Sequence, residues 1–260
     1  NGINDRGADF GYGWYNDVHF HLGYFVYASA VVAKEDTAWG DQWAAAVNDL
    51  VRCFANPVHD ATFPVTRMKD WYAGHSWASG LFEFGDVKNQ ESSSESINGY
   101  YGLYLWGLAR NNANLRDLAR LMLAQEIRTT NKYWHMDGRS NEVYDQVFAD
   151  NGCVGILWGT KVDFATWFGI NIEFIVGIQM MPYTPISEEY LSPAWVQTVY
   201  PRLSTALTRT TPPLEVGWRG FIYMAQAVVD KAAAWNNINT INGWDNGNSK
   251  TNALYWIATR

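Results

Sequence analysis

Apolar residues recur along most of the chain with the three-to-four-residue spacing of amphipathic α-helices, whereas the strict alternation of half-buried strands is scarce. This pattern predicts helices over residues 20–34, 42–54, 94–110, 115–129, 164–180, 193–208 and 221–235. Long connections rich in Gly, Asn, Asp, Trp and His separate them, notably residues 56–89, 131–163 and 236–248. Loops of this length in a compact domain are usually functional, and aromatic content argues against disorder. We therefore expect these loops to build a cleft.

Successive helices joined by alternating short and long connections, with no repeat of fixed period, favour an all-α fold of the (α/α)6 toroid type. A solenoid or a four-helix bundle fits this pattern less well. The predicted helices are too few for a complete toroid, so we expect an incomplete one. No Pro/Ser-rich linker or block of charge marks an internal boundary, and the pattern predicts a single domain over residues 1–260.

Charge and cysteine content exclude several classes of protein. The net charge of -7, without a Lys/Arg cluster, disfavours nucleic acid and anionic membrane surfaces as partners. Residues 18–33 carry no formal charge but are shorter than the roughly 20 residues of a membrane span. Cys53 and Cys153 are too few to define a disulfide framework or a zinc site. Because the chain starts at Asn1 and shows no signal peptide, we expect a processed or excised piece of a longer protein.

Aromatic residues are unusually frequent. The chain contains 14 Trp, 15 Tyr and 12 Phe, while charged residues make up only 17%. The polar groups of Trp and Tyr favour partly wet surfaces such as ligand clefts, although a Trp-rich core accounts for part of the total.

The first group of chemically capable side chains lies just before the helix predicted from residue 20. Asp17 stands there among aromatic residues and two histidines. An Asp at this position is a favoured helix N-cap, so a capping role and a catalytic role both remain open. His19 and His21 form an H-x-H pattern that suits a metal, but no second His/Cys cluster supplies further ligands, and we predict no metal.

The second group opens the helix predicted from residue 94. Ser92 and Glu95 have the spacing of a capping box, which is the structural interpretation of Glu95. Glu91 would then lie just outside the first turn, near the positive end of the helix dipole, which suits a carboxylate that acts as a base. Residues four apart share a helix face, so the opposite assignment also stands. The sequence does not choose between them.

A third group lies between the other two, in the predicted connection over residues 56–89, which we call the aromatic loop. Asp70, His75 and Trp77 are positioned to supply polar contacts and ring platforms for a sugar, or the loop is simply closed by a pair between Arg67 and Asp70. Two carboxylates on separate segments, surrounded by aromatics, are the minimal requirement for glycoside hydrolysis, in which one protonates the leaving oxygen and the other acts on water or on the sugar.

Several stretches, taken together, resemble glycoside hydrolase family 81. They are residues 15–25 (YNDVHFHLGYF), 70–78 (DWYAGHSWA), 90–95 (QESSSE), 177–185 (GIQMMPYTP) and 254–260 (LYWIATR), so the likeness covers essentially the whole chain. The resemblance implies an (α/α)6 barrel that cleaves internal β-1,3-glucosidic bonds of laminarin-like glucans with inversion and without a cofactor. It also implies that the family's N-terminal β-sandwich domain has no counterpart in this chain.

The resemblance also implies roles for particular residues. Asp17 matches the family's general acid, and the pair Glu91 and Glu95 matches its base and a neighbouring essential carboxylate. His21, Tyr24, Asp70 and His75 fall in motifs that line the family's substrate cleft. We add two aromatic residues as candidate substrate-binding residues, Trp77 of the stretch over residues 70–78 and Tyr101 of the helix predicted from residue 94.

Partners and location follow from the same resemblance. We expect a monomer that acts on β-1,3-glucan outside the cell, with no nucleic acid or membrane partner. Two alternatives stay open: a non-catalytic module that only binds glucan, and a helical-toroid enzyme acting on another polysaccharide. An acidic cleft disfavours anionic uronate polymers.

Overall fold

Helices make up most of the part of the chain that the structure describes. The structure, a computed structural model, describes residue 2 and residues 4–137 and 143–260. The α-helices are α1 (Val18–Glu35), α2 (Thr37–Ala55), α3 (Ser93–Ala109), α4 (Ala113–Tyr133), α5 (Gln146–Ala149), α6 (Ile172–Gly177), α7 (Pro193–Leu203), α8 (Val216–Val229), α9 (Lys231–Ile238) and α10 (Lys250–Ala258). The predicted all-α class is confirmed.

Strands and 3-10 turns are short. The strands are β1 (Asn89–Gln90), β2 (Ile156–Trp158) and β3 (Val162–Asp163), and β2 pairs antiparallel with β3. Segments of 3-10 helix cover Asp9–Trp14, Pro185–Glu189 and Ser204–Thr208. The predicted loop over residues 131–163 includes residues 138–142, which lie outside the described residues. Among the residues described, no helix has both the length and the apolar content needed to cross a bilayer.

Polar side chains fix several helix starts. In five helices an Asp or Ser at the N-cap accepts the backbone N–H of the third residue that follows, which satisfies a donor left unpaired by the helix. These pairs are Asp36 with Trp39, Ser92 with Glu95, Ser192 with Trp195, Asp230 with Ala233 and Ser249 with Asn252.

The chain divides into two compact units, one formed by residues 1–129 and 158–161 and the other by residues 130–157 and 162–260. The prediction of one α/α-barrel region over residues 1–260 stays a prediction. Cys53 and Cys153 are both free thiols.

In the first unit, small residues bring α1 and α3 into backbone contact. A Cβ on Gly23 would lie 2.5 Å from the Cα of Gly99, and a Cβ on Gly99 would lie 2.5 Å from the carbonyl oxygen of His19. Further along, a Cβ on Gly102 would lie 2.9 Å from the backbone nitrogen of Tyr27. Because these contacts advance in the same direction along both helices, α1 and α3 run parallel. Their N-termini therefore lie at the same end of the unit.

In the second unit, the core forms around tryptophans. Trp195 of α7 is buried, stacks on the ring of His135 at 3.5 Å and donates from Nε1 to the Gly152 carbonyl at 2.8 Å. Trp134 packs with Met136 and further apolar residues in a buried cluster. Four of the 14 tryptophans, Trp106, Trp134, Trp195 and Trp256, are buried, so part of the Trp content serves the interior, as expected.

Two helix predictions were partly wrong. The predicted helix over residues 164–180 is helical only in α6. Gly169 takes a positive φ of 155° before it, and Asn171, at the N-cap position, has extended backbone angles. The predicted helix over residues 221–235 is two helices. Asp230 between them has extended backbone angles and caps α9. The apolar pattern therefore continues past residue 230, although the first of the two helices ends there. The sequence pattern also missed α10.

Candidate active site

Asp17 occupies the N-cap position of α1 but does not use its side chain as a cap. Its φ of 57° and ψ of 18° are left-handed, whereas a capping residue is normally extended. Its backbone oxygen accepts the N–H groups of Phe20 and His21 at 3.0 Å, and its carboxyl group makes no capping hydrogen bond. The capping interpretation of this side chain is therefore wrong.

A loop that runs against residues 14–17 holds Asp17 in place. The Asp17 N–H donates to the Ala78 carbonyl at 2.8 Å, and the Gly80 N–H donates to Asn16 Oδ1 at 2.7 Å. A Cβ on Gly80 would lie 2.1 Å from the carbonyl oxygen of Trp14, so only glycine permits this approach. The left-handed backbone of Asp17 is thus fixed from outside the helix, as strained positions at functional sites commonly are.

The surroundings of Asp17 keep its carboxyl group protonated. Burial, and to a smaller extent the nearby carboxylates of Glu95 and then Glu91, together raise the pKa of Asp17 from its ordinary 3.8 to about 8. Desolvation and like charge both disfavour the ionised form. At neutral pH Asp17 is therefore predominantly a proton donor.

Glu95 lies in the first turn of α3, beside α1. Its N–H donates to Ser92 Oγ at 3.2 Å, which is one half of the predicted capping box. Its Oε1 accepts a hydrogen bond of 2.8 Å from the hydroxyl of Tyr24. Burial raises the pKa of Glu95, while the hydrogen bonds from Tyr24 and Ser92 act in the opposite direction. Glu91 is half-buried just before α3 and close enough to Asp17 to affect its pKa.

The two histidines of the H-x-H pattern have separate surroundings. His19 is fully buried, its Nε2 lies 2.9 Å from Gln90 Oε1, and burial lowers its pKa to about 4. His21 is half-buried between the ring of Phe10 at 6.1 Å and the edge of Tyr12 at 5.5 Å. Within the described part of the chain, no group of three or more His, Cys, Asp or Glu side chains is arranged to hold a metal ion.

Asp70 organises the aromatic loop. Its carboxylate accepts the N–H groups of Tyr72 and Ala73 at 3.0 Å and the indole N–H of Trp77, also at 3.0 Å. Burial alone would raise the pKa of Asp70, but these hydrogen bonds hold it below its usual range. Arg67 donates from Nε to the Cys53 carbonyl and does not pair with Asp70, so other contacts close the loop.

The remaining predicted site residues differ in exposure. His75 is only 3% exposed, donates from Nδ1 to the Ser76 carbonyl at 2.8 Å and meets the Trp77 ring edge-on at 4.5 Å. Burial lowers the pKa of His75. Trp77 and Tyr101 are half-buried, and the Tyr101 ring lies 5.8 Å from that of Tyr27. The structure thus brings Asp17, Glu91, Glu95 and Tyr24 together, and His75 packs against Trp77.

Sequence reasoning missed a buried carboxylate, Glu126. It lies within α4 and is 1% exposed, although an acidic residue in an amphipathic helix normally faces solvent. It forms an ion pair with the equally buried Lys69, with 2.8 Å between Nζ and Oε2. No local motif surrounds either residue, so the sequence gives no signal for this pairing.

The fold and the site define a class of protein. A mostly helical chain carries a protonated carboxyl group beside two other carboxyl groups, one of which accepts a hydrogen bond from Tyr24. Such a set of groups is what acid–base glycoside hydrolysis requires. Residues 1–257 match the glycosyl hydrolase family 81 C-terminal domain. The chain belongs to this family.

Relatives and a solved structure agree with this assignment. A glucan endo-1,3-beta-D-glucosidase of Glycine max is 40% identical over all of this chain, and a primary septum glucan endo-1,3-beta-D-glucosidase of Schizosaccharomyces pombe is 40% identical over 87% of it. A mutant of a glycoside hydrolase family 81 protein from Clostridium thermocellum superimposes with a TM-score of 0.82 and 33% identity over 94% of this chain. The chain spans only 39%, 22% and 34% of these three proteins, respectively.

Proposed function

We propose that this chain is the catalytic helical part of an endo-β-1,3-glucanase that hydrolyses internal bonds of β-1,3-glucan with inversion. The observation that carries the proposal is the protonated carboxyl group of Asp17 beside the carboxylates of Glu95 and Glu91. General-acid catalysis at neutral pH needs a carboxylic acid with a raised pKa, close to a second carboxyl group that handles water.

In the proposed mechanism, Asp17 donates its proton to the glycosidic oxygen as the bond to the anomeric carbon breaks. Glu91 or Glu95 takes a proton from a water molecule, whose oxygen attacks the anomeric carbon from the opposite face. The product is the α-anomer, Asp17 is left ionised, and the base is left protonated. Exchange of protons with solvent restores both groups. The reaction requires the two carboxyl groups to be about 6.5–9.5 Å apart, so that the water fits between them.

The choice of base stays open between the two glutamates. The hydrogen bonds from Tyr24 and Ser92 stabilise the ionised form of Glu95, which supports its assignment. The place of Glu91 just before α3, at the positive end of the helix dipole, supports the other. Replacing each by Gly and adding azide separates them. In the variant that lacks the base, azide can attack without deprotonation, so azide restores turnover and yields an α-glucosyl azide.

Substrate contacts are proposed for half-buried and exposed rings of the unit that contains Asp17. Tyr24 is 46% exposed and His21, Trp77 and Tyr101 are half-buried, so each has a face or an edge available to a sugar. We assign indirect roles to two further residues, Asp70 and His75, which hold the Trp77 indole through a hydrogen bond and a ring contact.

The names of the relatives support β-1,3-glucan as substrate, and the septum enzyme among them supports action on wall polysaccharide outside the cell. We further propose that the protein acts as a monomer, without a cofactor and without nucleic acid or membrane partners. Its net charge of -7 is compatible with a neutral glucan.

The decisive experiment is reducing-sugar release from laminarin beside a β-1,4-glucan, with the anomer of the first product followed by NMR. We expect release from laminarin only, as the α-anomer. A first product of β configuration would overturn inversion. Measurable binding of laminarin without any release would instead favour the non-catalytic glucan-binding module.

Asp17→Asn tests the acid directly. Loss of the proton donor should lower kcat by about 10²- to 10⁴-fold while laminarin binding remains. Asp36→Asn is the matched control, because Asp36 lies at the N-terminus of α2 and does cap its helix, a role that Asn also fills. Its turnover should equal that of the unmodified chain. Near-full activity in Asp17→Asn would remove Asp17 from the mechanism.

A further inference from the structure

The carboxylate of Glu126 receives hydrogen bonds from several parts of the first unit. Its Oε1 accepts from Ser96 Oγ at 2.6 Å, from the Ser76 N–H at 2.9 Å and from Gln90 Nε2 at 3.1 Å. Its Oε2 accepts from Lys69 Nζ at 2.8 Å and from Ser76 Oγ at 3.4 Å. One side chain of α4 thus connects the aromatic loop, β1 and the start of α3.

The charge state of Glu126 is fixed by Lys69. Burial alone would raise the pKa of Glu126, but Lys69 and the donated hydrogen bonds hold it below its usual range. Lys69 also donates from Nζ to the Gly74 carbonyl at 2.8 Å. A buried ion pair whose oxygens are satisfied in this way resists rearrangement, because separating it would leave an uncompensated buried charge.

The partners of Glu126 stand next to the proposed catalytic residues in the chain. Gln90 precedes Glu91, and Ser96 follows Glu95. The amide of Gln90 is held at both ends, since Nε2 donates to Glu126 and Oε1 lies 2.9 Å from Nε2 of His19, two residues after Asp17. The same buried network therefore reaches the flanks of all three carboxyl groups.

The arrangement is rigid at its centre. Ser76 donates its backbone N–H to Glu126, and its Oγ lies 2.5 Å from the hydroxyl of Tyr100, one turn along α3 from Ser96. These side chains are buried, so water does not compete for their hydrogen bonds. A small displacement of Glu126 would therefore displace the start of α3 as well.

We infer that Glu126 is a positioning residue for the hydrolysis, holding Gln90 and Ser96 so that Glu91 and Glu95 keep their placement relative to Asp17. The inference rests on the proposed function. Glu126 does not touch the substrate in this scheme; it acts through the two residues that flank the glutamates. A misplacement of about 1 Å can cost on the order of 10²-fold in rate, which makes such support measurable.

Glu126→Gln tests the inference, because Gln keeps the volume and one acceptor but removes the charge. We expect kcat on laminarin to fall at least about 10-fold with KM within about 2-fold, since the binding surface is unchanged. Glu173→Gln is the matched control: Glu173 is also 1% exposed and ion-paired, to Arg209 in the second unit. Equal falls in kcat for the two variants, or a change in KM alone, would overturn the inference.

Ser96→Ala is the second variant, because it leaves the ion pair of Glu126 intact and removes only the link at 2.6 Å. It covers the case in which Glu126→Gln fails to fold. We expect a smaller fall in kcat than in Glu126→Gln, again at constant KM, in a variant whose circular dichroism spectrum matches that of the unmodified chain. Unchanged kcat in Ser96→Ala would contradict the proposed link.

The Asp17 carboxyl titration, followed by 13C NMR in the unmodified chain and in Ser96→Ala, tests the inference without turnover. All charges are the same in both proteins, so a lower pKa of Asp17 in the variant reports that Glu91 and Glu95 have moved or that water has entered. An unchanged pKa would overturn the inference. Absence of laminarin turnover in the unmodified chain would overturn the proposed function instead, and the titration would still decide the placement.

Discussion

The hydroxyl of Tyr24 on α1 donates a 2.8 Å hydrogen bond to Oε1 of Glu95 on α3. The two residues are 71 positions apart in the chain, and they meet because the glycine contact between Gly23 and Gly99 lets the parallel helices touch. The donor stabilises the ionised form of a carboxyl group that burial pushes toward protonation. Helix packing and the electrostatics of the site are therefore directly coupled.

Tyr24→Phe should raise the pKa of Glu95, because the hydrogen bond that opposes burial is lost. If Glu95 is the base, it must be ionised to act, and the acidic limb of the kcat/KM profile on laminarin should move to higher pH. Profiles measured between pH 3 and pH 9 would check this, over a range set by the usual pKa values of carboxyl groups.

The matched control for that experiment is Tyr27→Phe. Tyr27 lies one turn further along α1 and packs its ring against Tyr101. The acidic limb of the kcat/KM profile of Tyr27→Phe should coincide with that of the unmodified chain. Identical acidic limbs for all three proteins would assign the base to Glu91.

Asp17→Asn should change how stability depends on pH. The folded pKa of Asp17 is about 8 and its ordinary value is 3.8, so between these values the folded state binds the extra proton. The contribution of Asp17 to the free energy of unfolding is therefore largest below about pH 4, and it is lost as the pH rises from about 4 to about 8. Asn does not titrate, and the variant should gain on the order of a few kcal/mol relative to the unmodified chain across that window.

Urea unfolding at pH 4, 6 and 8 measures this difference. Other titrating groups contribute equally to both proteins, so the difference between the two curves reports Asp17. A constant difference across the three pH values would show that the folded carboxyl group titrates normally. The predicted gain in stability with loss of turnover is the usual trade-off at a catalytic site.

Gly99→Ala should separate α1 from α3. The new Cβ would lie 2.5 Å from the His19 carbonyl oxygen, a backbone atom that moves only if its helix moves. Overpacking of this kind costs about 1–3 kcal/mol, more than the roughly 1 kcal/mol that Ala gains over Gly in a helix. Turnover should fall as well, because Tyr24 and Glu95 would move apart.

Gly85→Ala is the control for this substitution. No atom lies within 4 Å of a Cβ placed on Gly85, in an exposed loop of the same unit. Its urea midpoint and kcat should match those of the unmodified chain. Comparable destabilisation in both variants would mean that the close helix contact does not limit stability.

Local pattern was sufficient for much of the helical fold. The helices predicted over residues 20–34 and 94–110 match α1 and α3 within one or two residues at each end, because both helices bury apolar residues at helical spacing. The pattern failed over residues 164–171, where the backbone is not helical and Gly169 takes a positive φ, and at Asp230, where extended backbone angles end α8. In both places the apolar residues continue. Periodicity reports which residues are buried, and it does not report backbone breaks between them.

The sequence by itself determined which residues were candidates: an aspartate before one helix, two glutamates at the start of another, and an aromatic loop between them. Only the tertiary structure decided what Asp17 does. An Asp with extended backbone angles caps a helix with its side chain, whereas the left-handed backbone of Asp17 leaves its carboxyl group without a capping hydrogen bond. The tertiary structure alone revealed Glu126 and Lys69, 57 positions apart. The physical reason is that burial and like charge, which set a pKa, come from residues distant in the chain. Helix periodicity, in contrast, depends on residues close together in the chain.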